Sequence, residues 1–205
     1  MTVRLQKAGK HYNKRWIFKN LDLSISTNDS MAVLGENGSG KSTLLKVFSG
    51  QLSLDSGSIQ FKDESIDVDP NLVFQSVSIS APYIELIEEM TLKEFLDFHF
   101  SFKASRMPTL EMIKTIGLEE HTEKRLDTFS SGMKQRVNLA QALFSNSALI
   151  LLDEPYSNLD EKGKLLFDNL IPKLSKERVL VVASNNEREY SMCAKRINVQ
   201  DYEKE

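Results

Sequence analysis

Apolar residues follow three rhythms along this chain. Residues 17–26 (IFKNLDLSIS) partly alternate, with Leu21, Leu23 and Ile25 on one side, which predicts a half-buried strand. Gly57-Ser58-Ile59-Gln60-Phe61 predicts another strand after a turn, so the N-terminal third reads as short strands and turns. From Thr91 to about Thr122 the spacing is helical: Leu92, Phe95, Leu96 and the aromatic run 98–102 form a stripe, interrupted at Pro108. Those aromatics are expected in the core. Residues 31–34, 148–152 and 179–183 are apolar without alternation, and helical sequence joins the last two. Continuous runs of this kind predict parallel strands covered on both faces. The expected fold is α/β, with a mainly parallel sheet, an N-terminal antiparallel β part, and a helical part at roughly 82–145. All of it lies in one domain over residues 1–205.

Residues 33–50, VLGENGSGKSTLLKVFSG, interrupt these rhythms with a cluster of glycine. Glycine is costly to order, so a cluster implies either backbone conformations closed to other residues or a close approach to something. Gly35, Gly40, Lys41 and Ser42 fit G-x-x-x-x-G-K-[ST] without mismatch, between strand-like 31–34 and helix-like 43–48. A loop so flanked turns backbone N–H groups inward and adds the positive end of the next helix, a phosphate-binding arrangement. The candidate nucleotide contacts are therefore Gly35, Glu36, Asn37, Gly38, Ser39, Gly40, Lys41, Ser42 and Thr43. Lys41 supplies the full positive charge, and the Ser42 hydroxyl is a ligand for Mg²⁺. These features make the core a phosphate-loop NTPase.

A second motif ends the first late strand, where ALILLDEP puts Asp153 and Glu154 at the carboxyl edge of the sheet. Open α/β sheets bind their ligands at that edge. Asp153 is the second candidate Mg²⁺ ligand, and Glu154 the candidate general base that polarises attacking water.

Composition narrows the setting. Twenty-six basic against 29 acidic residues leave a net charge of −3, which gives no reason to expect a nucleic-acid partner. The single cysteine, Cys193, excludes an internal disulfide and a cysteine-based zinc site. No charged-then-apolar leader opens the sequence, and no apolar run approaches the roughly 20 residues of a membrane helix. The expected location is cytoplasmic.

The phosphate loop alone leaves kinases, GTPases, helicases and transporters open. The stretch FSSGMKQRVNLAQALFSNSALILLDEPYSNLD narrows the choice, because it resembles the signature motif, second nucleotide motif and aspartate loop of ATP-binding cassette (ABC) ATPases. The family's LSGGQ stands here as residues 129–133, with Ser130 and Gly132 kept, and 24 positions (154 − 130) separate Ser130 from Glu154. Asp160 matches the aspartate loop, and Tyr12 falls where the family stacks an aromatic on adenine. The resemblance runs from about Tyr12 to Asn185. Ser130 and Gly132 precede an expected amphipathic helix (Val137, Ala140, Leu143, Phe144), so they sit at a positive helix end suited to phosphate. In the family that end faces ATP held by a second cassette. The resemblance thus implies ATP and Mg²⁺ as cofactors, a second cassette, identical or related, as partner, and ATP-driven dimerisation.

Three positions depart from the family pattern. The usual glutamine near the start of the helical part is missing: about 40 positions beyond Lys41 stand Ala81 and Pro82, and Gln75 comes too early. The switch histidine is replaced by Asn185, which donates a hydrogen bond but carries no charge, so slow turnover is expected. Ser131 and Met133 replace a glycine and a glutamine of the signature. The favoured function is the ATPase subunit of a membrane transporter, held at the cytoplasmic face by a separate transmembrane permease that its helical part contacts. The alternative is a soluble ABC ATPase acting on ribosomes or DNA. Ribosome-acting members carry two cassettes in tandem, and repair members need a long coiled coil. The 112 positions between Lys41 and Asp153 (153 − 41) have no room for one.

Overall fold

A computed structural model of the chain describes residues 1–63 and 66–202. The first strands, β1 (Thr2–Tyr12) and β2 (Arg15–Ser26), pair antiparallel with Tyr12 opposite Arg15. Asn13 and Lys14, between them, are both left-handed (φ 48° and 68°), as a two-residue hairpin turn requires. With β4 (Ser56–Asp63) and β5 (Ile66–Asp67) they form a four-stranded antiparallel sheet, ordered β2-β1-β4-β5. β1 was not expected from the hydrophobic pattern. Its register shifts between Leu5 and Ala8 and again before Lys10, which breaks the alternation a regular strand would display.

The second sheet is parallel throughout. Its order is β6 (Val77–Ser80), β7 (Leu149–Asp153), β8 (Val179–Ala183), β3 (Ser30–Leu34), β9 (Lys195–Asn198). β7 and β8 are buried at every position, as unalternating runs require. The period of two then divides them between two cores. Leu149 and Leu151 join Met31, Val33, the antiparallel sheet and Leu44, Leu45 and Phe48 of α1 (Lys41–Phe48). Ile150 and Leu152 face Val137 and Leu139 of α5 (Ser131–Leu143) and Phe167 of α6 (Glu161–Leu174). Short α2 (Val73–Ser76) precedes β6, and α7 (Glu187–Tyr190) follows β8.

The stretch 91–122 corrects one expectation. It divides into α3 (Leu92–Phe102), α4 (Thr109–Thr115) and a short turn of helix at Glu119–His121; α3 ends well before Pro108, at Lys103, which is extended. Leu92, Phe95 and Leu96 are buried, but Phe98 is 42% and Phe102 77% exposed. Residues 98 and 102 are one turn apart on a face turned away from the core, and their rings meet each other edge-on at 5.1 Å. A second correction concerns α5, which is buried almost all round rather than on one side; Gln135 and the continuous run 137–143 have little contact with solvent. Its buried amides are satisfied: Gln135 donates to the Pro155 carbonyl (2.8 Å), and Gln141 to the Asn138 side chain (2.8 Å).

Candidate functional site

The loop between β3 and α1 takes the backbone its glycines allow. Gly35, Gly38 and Gly40 have φ of 140°, 82° and 103°. A Cβ on Gly40 would lie 2.0 Å from Ile17 Cγ2, so that position is closed by packing as well as by φ. Gly40 is also the residue before α1, and no side chain caps that helix start, which leaves its first N–H groups for a ligand. Not every loop amide points inward. Ser39 N–H donates to the Glu36 carbonyl (3.1 Å) and Glu36 N–H to Gln200 Oε1 (3.3 Å). Lys41 folds back over the loop and donates from Nζ to the carbonyls of Gly35 (2.8 Å) and Glu36 (3.1 Å).

β7 delivers Asp153 and Glu154 beside this loop. Asp153 is 3% exposed and hydrogen-bonded by the Ser42 hydroxyl. Burial holds its carboxyl above the usual carboxylate range; the Ser42 bond opposes that shift, and the charge of Glu154 adds to it. Glu154 has a left-handed backbone (φ 46°), with its N–H donating to the Ala183 carbonyl (2.9 Å). Tyr12, Asn37, Gly38, Gly40, Lys41, Ser42, Thr43 and Glu154, with Ile17, line one cleft of about 360 Å³. Tyr12 is half-exposed at its mouth, with Lys10 Nζ 5.8 Å from the ring centre. Asn185 meets the same loop, donating from Nδ2 to Asn37 Oδ1 at 2.9 Å.

Ser130, Gly132 and Asp160 gather elsewhere. Ser130 caps α5 by accepting from Met133 N–H (3.3 Å). Gly132 lies inside the first turn of α5 rather than before it, against the Asn158 carbonyl, which a Cβ would approach to 2.9 Å. Asp160 caps α6 through Gly163 N–H (2.8 Å) and pairs with Arg136 (3.2 Å). Three residues near the cleft escaped sequence reasoning. Lys46 stands 4.3 Å over the Tyr83 ring, and burial beside the Asp153 charge pushes the Tyr83 phenol up to about 12. Glu189, from α7, accepts the Tyr156 N–H (3.2 Å). None belongs to a motif: Lys46 is carried by α1, and packing brings in Tyr83 and Glu189 from distant stretches.

A sequence model of the ABC transporter family matches residues 18–157, which include the whole phosphate loop and Asp153-Glu154. The chain belongs to the ABC transporter family. An uncharacterized ABC transporter ATP-binding protein of Bacillus subtilis, YxlF, is 33% identical over 188 residues, covering 89% of this chain and 62% of the relative. The spermidine/putrescine import ATP-binding protein PotA of Fusobacterium nucleatum is 32% identical over 178 residues, covering 84% of this chain and 46% of PotA. The chain thus spans between about half and two thirds of the length of these two ABC relatives. A solved dimer of the ATP-binding cassette MJ0796, in a post-hydrolysis state bound to ADP and Pi, superposes with a TM-score of 0.83 at 23% identity over 96% of this chain and 93% of that one. That likeness establishes the ABC ATPase fold. Among the described residues no helix is long and apolar enough to cross a membrane.

Proposed function

We propose that this chain is the ATP-binding and ATP-hydrolysing unit of a membrane ABC transporter, working through ATP-driven association of two cassettes. The observation that carries the reading is one cleft beside an uncapped helix start that Lys41, Ser42 and Glu154 line, with Asp153 bonded to its Ser42 and Asn185 to its Asn37. The residues fit a nucleotide with its metal. The Ser39 hydroxyl is buried without a hydrogen-bond partner among the described residues, and Asp153 is a buried acid bonded by the Ser42 hydroxyl and facing the charges of Lys41 and Lys46. Bound Mg²⁺ supplies positive charge across the phosphate oxygens. Ser42 and Asp153 would hold it, Lys41 would turn from the Gly35 and Glu36 carbonyls to the β- and γ-phosphates, and Tyr12 would stack on the base. Glu154 accepts the proton of the attacking water, and Asn185 donates from Nδ2 to a γ-phosphate oxygen. An amide there carries no charge, so turnover by the isolated chain is slow.

Ser130 and Gly132, at the α5 end, contact the nucleotide of the second cassette, with Asp160 at the same junction. The MJ0796 dimer supports such a pairing. The membrane partner is a separate permease, and its docking surface is the apolar groove of about 580 Å³ lined by Phe74, Ile87, Phe95, Phe98 and Phe102. PotA, a relative, is an import ATP-binding protein.

The deciding experiment is Glu154→Gln. The amide keeps shape but loses basicity, so ATP and Mg²⁺ still bind, hydrolysis falls by about 10²-fold or more, and light scattering detects a dimer trapped with ATP. Lys41→Ala should abolish tight binding in a direct titration. Unchanged affinity in Lys41→Ala would refute the cleft as the nucleotide site, and a monomeric Glu154→Gln with ATP and Mg²⁺ would refute self-association.

A further inference from the structure

We propose that Glu189, on α7, is a positioning residue that holds Glu154 in its working conformation. The proposal rests on the ATPase reading above. Glu154 has a φ of 46°, a left-handed backbone that is disfavoured for a glutamate. A conformation of this kind persists where the surroundings fix it from more than one side. One side is the neighbouring strand, through Glu154 N–H to the Ala183 carbonyl. The other lies two residues on, where Glu189 Oε1 accepts the Tyr156 N–H at 3.2 Å. These two bonds bracket the turn that aims the Glu154 carboxylate into the cleft.

Glu189 is an expensive residue to keep there for packing alone. It is 5% exposed, and its Oε2 has no hydrogen-bond partner among the described residues. Burial raises its carboxyl above the ordinary range, with the Glu154 charge adding to the rise and the Ser184 hydroxyl and Tyr156 N–H opposing it. Tyr156 is gripped a second time, through its side chain: its hydroxyl donates to Asp168 Oδ1 (2.7 Å), and Arg188, also on α7, donates to Asp168 Oδ2 (2.7 and 3.1 Å). Backbone and ring of the same residue are therefore both tied to the Arg188-Glu189 pair.

The same element carries the other side of the cleft. α7 starts just after Asn185, and its cap Asn186 donates its N–H to the Ser184 hydroxyl, which lies beside Glu189. The segment 184–189 thus links the residue that touches the phosphate loop to the backbone behind the general base. A shift of α7 would move both together. Sequence distance hides this: Glu189 is 33 positions from its partner at Tyr156.

Reach and charge can be separated. Glu189→Gln keeps the acceptor at the same reach without the charge, and Glu189→Asp keeps the charge but draws the acceptor back by one methylene. Single-turnover ATP hydrolysis and direct nucleotide titration are measured for both, well below their melting temperatures, in wild-type and Glu154→Gln backgrounds. Glu189→Asp should lower the hydrolysis rate by about tenfold or more at unchanged nucleotide affinity, as expected for a misplaced reacting group. Glu189→Gln should recover most of the rate. In the Glu154→Gln background Glu189→Asp should have no further effect, because a residue that acts through Glu154 has nothing left to act on. An active Glu189→Asp, an inactive Glu189→Gln, or an equal loss in both backgrounds would each overturn the proposal. The ATPase reading fails separately, through a wild-type chain that neither binds nor hydrolyses ATP; that result would take this proposal with it.

Discussion

Asp153 displays the tension between stability and ligand binding most directly. It is a buried carboxyl whose affinity for protons is raised by burial, with one hydroxyl bonded to it. A raised carboxyl favours the folded state while it is protonated, below the ordinary carboxylate range, and that contribution is lost as pH climbs through the folded value. At neutral pH the nucleotide-free protein therefore carries a penalty. Asp153→Asn should raise the melting temperature of the nucleotide-free chain at pH 7, by roughly 2–4 °C for each kcal/mol removed, and the gain should vanish as pH approaches about 4. With ATP and Mg²⁺ the order should reverse, since only the wild type retains the proposed metal ligand. Thermal melts across pH, with and without nucleotide, check both halves. Residues of this kind were legible in sequence because the phosphate loop and Asp153-Glu154 are contiguous and take their conformation from their own glycines and strand. Asn37 was legible as a loop residue, but its bond to Asn185 was not: the two lie 148 positions apart.

Elements were legible in proportion to how much of their burial is set locally. The unalternating runs at β7 and β8 are buried at every residue. By contrast β6 and β9 have four residues each, too few to establish a period. The exposure of Phe98 and Phe102 follows from the face of α3 that meets the core, which the stripe did not specify. A long-range device also joins the helices. Arg178 is 1% exposed and donates to the carbonyls of Leu143 and Ser145 (both 2.8 Å) and of Leu174, at the ends of α5 and α6. Burial lowers its guanidinium to about 10, with the charge of Arg106 adding, and the cation is stabilised by the negative ends of the two helices. Arg178→Ala would leave these carbonyls unpaired and should cost about 3 kcal/mol or more. A fall in the urea midpoint at constant nucleotide affinity for the folded chain is the expected signature; an unchanged midpoint would mean that water replaces the side chain.

Across the whole molecule, the proposed nucleotide cleft and the apolar groove are lined by different residues, so they can be disabled separately. Phe98→Ser combined with Phe102→Ser should leave ATP affinity of the isolated chain within about twofold. In cells that carry the transporter it should shift the chain from the membrane pellet to the supernatant; a pellet as strong as the wild type's would place permease docking on another surface. The parallel sheet carries one more consequence. β3, which leads into the phosphate loop, lies between β8 and β9, so both its neighbours come from residues 179–198. A ribosome releases residues 35–42 early, yet at about 5–20 residues per second it needs on the order of ten seconds more to deliver the strands that flank them. During that interval the loop has its full sequence, but β3, which leads into it, lacks both of the strands it pairs with. Tight capture of ATP is therefore expected only of chains whose translation has run past residue 198.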